Sequence, residues 1–118
     1  MKKSTWEERK DKAFWGRRNI ASGGFIHCSS IEYFWRVAPN FKSVQEDLML
    51  VCIDESKLDA EVRYEDDGGY GRVYPHIYGL VNRDAVVQVL PFLKDADGNF
   101  IKNPEFVGVP DEWRSPRV

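Results

Sequence analysis

The sequence predicts a single α+β domain. Two segments open with capping-box spacing and continue at helical period, four short runs carry strand signatures, and clusters of Gly, Ser and Asp separate them. At 118 residues the chain makes one core that removes roughly two-thirds of its unfolded surface from water. That core is expected over about residues 4–91, with 92–118 as a C-terminal extension.

Ser4-Thr5-Trp6-Glu7 has the spacing in which a hydroxyl accepts from a backbone N–H and the glutamate reaches back, so a helix is expected from Ser4 to about Phe14. Trp6, Lys10, Ala13 and Phe14 fall near one face, making Trp6 and Phe14 core candidates, and Gly16 is the stop. Phe25 to Cys28 reads as a short strand after the Ser22-Gly23-Gly24 turn. Ser29-Ser30-Ile31-Glu32 repeats the capping spacing, and Ile31, Phe34, Trp35 and Ala38 recur at helical period. This second helix is expected to end near Ala38, because Pro39 disfavours a helical residue before it. Leu48 to Ile53 is a near-continuous apolar run and reads as a central strand buried on both faces. A short helical turn over Asp54–Leu58 precedes an alternating strand, Val62–Glu65, which enters the polar loop Asp66-Asp67-Gly68-Gly69-Tyr70-Gly71, a candidate lid. Val86 to Leu90 is the last clear strand. Beyond Phe92, Asp95-Ala96-Asp97-Gly98-Asn99 is turn chemistry, and Pro104, Pro110 and Pro116 suggest an extended tail whose Phe100, Phe106 and Trp113 pack on the domain edge or on a partner. The Asp-x-Asp-Gly spacing lacks the closing glutamate of a calcium loop.

Composition narrows the function classes. With 42% hydrophobic, 14% aromatic and 31% charged residues and a net charge of -2, the chain is neither disordered nor basic enough for a broad nucleic-acid footprint. No apolar run approaches the ~20 residues of a membrane span, and the charged N-terminus is unlike a signal peptide. Cys28 and Cys52 lie in apolar runs, as buried reduced thiols do, so a cytoplasmic protein is expected. Neither cysteine has the close spacing of a structural zinc site, and no metal is expected. Residues 1–18 hold seven Lys or Arg against three acids. They form either a solvated helix face or, at Arg17 and Arg18 just past the helix, a contact for an anionic ligand.

The two histidines of the chain sit in Gly24-Phe25-Ile26-His27-Cys28-Ser29-Ser30 and Tyr74-Pro75-His76-Ile77-Tyr78-Gly79. Apolar and small neighbours place each at a strand end or tight turn, and together they suggest one polar site. His27 and His76 are either ligand-contacting imidazoles or core histidines bonded to backbone. Ser29 is either a ligand hydroxyl or the N-cap of the second helix. Glu65 is either a general base or a solvated strand end, and Tyr78 either stacks on a ligand ring or anchors the turn. A thiol-dependent, glutathione-using enzyme built on Cys28 is a separate reading, although strand alternation turns Cys28 away from whatever His27 faces.

The ordered series Gly24-Phe25-Ile26-His27-Cys28-Ser29, Leu50-Val51-Cys52-Ile53-Asp54, Glu61-Val62-Arg63-Tyr64-Glu65, Tyr74-Pro75-His76-Ile77-Tyr78-Gly79, Asn82 and Ala85-Val86-Val87 closely resembles the family catalogued as domain of unknown function 952, over about residues 4–91. That family has no established reaction. The resemblance implies an ADP-ribosyltransferase-like fold of split small sheets with two or three short helices, holding NAD in a cleft between them. It implies that a strand-end histidine or arginine meets the nucleotide ribose, that a serine or aromatic residue supports the cleft, and that, as often in that superfamily, a glutamate assists transfer at the anomeric carbon. Here His27, Ser29 and Tyr78 are the ligand-binding candidates and Glu65 and His76 the catalytic ones. Family members commonly open with a strand of the type Ile-Tyr-His-Ile, whereas this sequence starts at Met1-Lys2-Lys3-Ser4. The resemblance thus implies a shortened chain or a start assigned downstream of the natural one, leaving a strand without its partner and an edge through which a homodimer can form. The rival to an ADP-ribosyl- or phospho-transferase-like enzyme using NAD is a non-catalytic binding or interaction module on the same fold.

Overall fold

Trp15, Ile26, Ile77 and Val81 form the buried centre of the molecule, and residues from three small antiparallel sheets meet there. The computed structural model describes residues 1–66, 68–69, 71–106 and 108. In chain order its elements are α1 (Lys3–Arg9), β1 (Phe14–Trp15), α2 (Arg17–Gly23), β2 (Ile26–His27), α3 (Phe34–Val37), β3 (Met49–Ile53), β4 (Glu61–Glu65), β5 (Tyr74–Tyr78), β6 (Val81–Asn82) and β7 (Val86–Pro91). β1 pairs with β6, β3 with β7, and β5 lies between β2 and β4. The α+β class is as the sequence predicts.

The first helix is shorter than expected and capped differently. It ends at Arg9, and its N-cap is Lys2, with no side-chain cap bond, so Ser4 and Glu7 do not form the capping box. Glu7 pairs with Lys10 instead, at 2.7 Å. Phe14 leaves the helix because Trp15 is drawn into the core, 5% exposed, and β1 pairs Phe14 with Asn82 and Trp15 with Val81. Alternation then turns Phe14 outward, 50% exposed, so it is no core residue. Gly16 does not end a helix but precedes α2, an element absent from the sequence reading. Its φ of 112° and the 2.5 Å that would separate a Cβ from Ile26 Cδ1 both require glycine.

The second expected helix is broken into three pieces, with 3₁₀ turns at Ile31–Tyr33 and Ala38–Phe41 flanking α3. It runs past Pro39, which sits in the first turn of the last piece, where its missing N–H costs nothing. β3 is half-buried along its length rather than buried on both faces, because among the described residues β7 is its one full partner. The start of the sequence pairs with the head of β3: Lys2 bridges Leu48, and the Met49 N–H donates to Met1 O at 2.8 Å.

The segment after β7 is not a loose extension. Phe92 and Phe100 pack on Phe34 at ring separations of 6.1 and 5.0 Å, Phe106 is 7% exposed, and the buried Asn103 donates to Pro91 O. Trp113, Pro110 and Pro116 lie outside the described residues. So do Asp67 and Tyr70 of the candidate lid, where the Gly71 N–H donates to the Asp66 carboxylate. Among the described residues no helix is long and apolar enough to cross a membrane.

Candidate functional site

Register sorts the β2-β5-β4 sheet into two chemically opposite faces. Ile26 opposes Ile77, which opposes Val62, and this row joins the apolar cluster around Trp15 and Val81. One residue on, His27 opposes His76, which opposes Arg63, while Tyr78 lies opposite Glu61 and Tyr74 opposite Glu65. The period of two therefore gathers imidazole, phenol, carboxylate and guanidinium on the face away from the core.

His76 is the fixed point of that face. It sits in the middle of the central strand, not at a strand end or turn, and is 3% exposed. Phe25 stacks on its ring at 4.2 Å and 22°, and His27 meets it edge-on at 5.0 Å. His76 Nδ1 lies 2.8 Å from Glu65 Oε1, and the Tyr78 hydroxyl donates to the same oxygen at 2.5 Å. The Tyr78 hydroxyl and then the His76 imidazole hold the Glu65 carboxyl below the ordinary glutamate range. An ionised Glu65 only accepts, so the proton of that bond sits on Nδ1 of His76. That arrangement, a carboxylate orienting an imidazole, is what a general base requires.

His27 differs because β2 is a two-residue edge strand, and its imidazole is exposed. Phe25 touches His27, His76 and Tyr78 at 4.7, 4.2 and 5.1 Å. Arg63 lies 4.2 Å over the Tyr78 ring and pairs with Glu61 at 3.1 Å. Sequence reasoning missed Phe25 and Arg63 as site residues, although each is two positions from one it named, His27 and Glu65.

Of the sequence candidates, the structure brings together His27, Glu65, His76 and Tyr78. Ser29 follows β2, but it is not a helix cap: its hydroxyl donates to Ser30 O at 2.9 Å. Arg17 and Arg18 do not follow a helix but open α2, and Arg18 is turned to Glu8 of α1 at 3.7 Å, 85% exposed. Cys28 packs against the apolar cluster, and burial pushes its thiol up to about 11, the reverse of an activated nucleophile. Among the described residues no group of three or more His, Cys, Asp or Glu is placed to hold a metal ion.

A family model described as "Protein of unknown function (DUF952)" matches residues 1–89. The chain belongs to the DUF952 family. All of the clustered residues lie inside the matched span, whereas the Phe92–Phe106 segment lies outside it. The fold is similar to that of protein CC0527 from Caulobacter crescentus, with a TM-score of 0.72 and 24% identity over 86% of this chain and 89% of that one. A double mutant of CC0527 gives 0.70 and 23% over the same shares. At such identity the likeness is one of fold. No curated protein matches the chain.

Proposed function

We propose that the polar face of the β2-β5-β4 sheet binds a nucleotide of the NAD or ADP-ribose type, in an ADP-ribosyltransferase-like version of this fold. The observation that carries the reading is His76, buried at mid-strand yet tied to a carboxylate and set against a second, exposed imidazole. Titratable side chains coupled to one another in this way cluster at functional sites. The phosphoribosyl part lies against His27 and Ser29, and Arg63 takes the charge role that the sequence suggested for Arg17 and Arg18. If transfer follows, the bond from the anomeric carbon to nicotinamide breaks, nicotinamide leaves with the electron pair, and an acceptor hydroxyl oxygen bonds to that carbon. The hydroxyl proton passes to His76, whose charge Glu65 then balances. A cytoplasmic setting suits the free thiols of Cys28 and Cys52.

One observation favours a second reading, a binding module without catalysis. Glu65 Oε1 already accepts from both Tyr78 and His76, so that oxygen is committed before any substrate arrives.

Calorimetry with NAD and with ADP-ribose tests the binding, and a nicotinamide-release assay separates the two readings. Saturable heat is expected, with affinity about tenfold weaker in His27→Ala. Absence of heat with both ligands at millimolar concentration overturns the proposal.

A further inference from the structure

At the C-terminal end of β5 an open depression of about 410 Å3 is lined by Phe14, Asp59, Ala60, Tyr78, Gly79 and Leu80. Its parts have different origins. Phe14 stands half-exposed because its neighbour Trp15 is the one drawn inward. The floor is flat because Gly79 and Ala60 pack too closely for another side chain: a Cβ on Gly79 would come within 2.8 Å of Ala60 Cβ. Asp59 is held by its backbone, whose N–H donates to the buried Asn82 at 2.9 Å, while the residue itself is exposed. An aromatic ring, a floor without branches and one acceptor-only carboxylate fit a planar heterocycle that carries N–H donors. They do not fit a phosphate, which the Asp59 carboxylate repels.

Tyr78 belongs to both sites. It lines the depression, and its hydroxyl is bonded to Glu65 beside His76 while Arg63 covers its ring. We infer that the depression is the base subsite of the nucleotide site, taking an aminopurine that stacks on Phe14 and donates to Asp59, with the sugar and phosphate directed past Tyr78 toward His27 and His76. The sugar and phosphate placement rests on the proposed nucleotide binding, whereas the base subsite stands on the depression itself.

Amide spectra of the full chain, titrated separately with adenosine and with ribose 5-phosphate, test each half alone. Adenosine is expected to shift the Ala60, Gly79 and Leu80 amides, and ribose 5-phosphate those of His27 and His76. Phe14→Ala is expected to weaken adenosine about tenfold or more, the scale of a lost base–aromatic stack, and to leave ribose 5-phosphate unchanged. Asp59→Asn adds donors and is expected to erase the preference for adenosine over inosine, an arm that holds even if Phe14→Ala fails to fold. The inference is overturned if adenosine leaves those three amides unmoved, or if both variants bind it like the parent chain. An adenosine response with no ribose 5-phosphate response keeps the base subsite and defeats the reading of the imidazole face.

Discussion

Phe25 holds the polar face together, and its removal has a size that follows from its contacts. Its ring meets His27, His76 and Tyr78 at 4.7, 4.2 and 5.1 Å. Each aromatic pair contributes about 0.5–1.5 kcal/mol beyond area burial. Phe25 is half-buried, which places each pair toward the low end. Phe25→Ala is therefore expected to cost ~2 kcal/mol, of which Phe25→Leu, restoring apolar bulk without the π face, recovers about half. With a urea slope of about 1–3 kcal/mol/M for a domain of this size, the midpoint of unfolding falls by about 0.7–2 M at unchanged slope. Urea titration followed by tryptophan fluorescence reads both variants. Should Phe25→Leu unfold like the parent chain, ring stacking contributes nothing here. A change below ~0.5 kcal/mol in Phe25→Ala would mean the cluster is not packed as described.

Four further outcomes are expected. Because Glu65 has a folded-state pKa below its ordinary value, its contribution to stability is complete above the ordinary glutamate range and is lost as pH falls through the depressed value. The stability gap between the parent chain and Glu65→Gln should accordingly narrow below about pH 5, and a gap independent of pH in denaturant titrations would refute the bonding described. Cys28, with its thiol near 11, should resist iodoacetamide at neutral pH until the protein unfolds, which mass spectrometry reads directly. Gly79→Ala should destabilise by about 1–3 kcal/mol through overpacking against Ala60, and Ala60→Gly in the same chain should restore most of it. Additive losses in that cycle would show the two sites do not touch. Asn82 accepts from the Asp59 N–H and donates to Lys57 O, so Asn82→Ala should cost about 1 kcal/mol in thermal or chemical unfolding by removing both bonds from part-buried backbone groups.

Local chemistry made several elements legible without coordinates. The alternation of Val62–Glu65, the apolar run ahead of Ile53 and the Val86–Leu90 run all became strands. The Asp95–Asn99 turn formed as turn chemistry dictates, with the Asp95 carboxylate accepting from the Asp97 and Asn99 N–H groups. The structure sets His27 opposite His76, in line with the grouping of both histidines into one polar site, although His76 lies mid-strand and not at the strand end or turn that its flanking residues suggested. What escaped was everything set by pairing between distant segments. Phe14 closes a helical pattern yet joins Trp15 in a strand, because Val81 and Asn82 offer a partner and the core offers Trp15 a place. Tertiary pairing also decided that His76 is buried while His27 stays wet, since one lies on a central strand and the other on an edge. Periodicity along a chain says which side chains share a face. Which faces meet, and in what register, depends on contacts whose partners are far apart in sequence, and it is those contacts that put Phe25, Glu65 and Tyr78 around one imidazole.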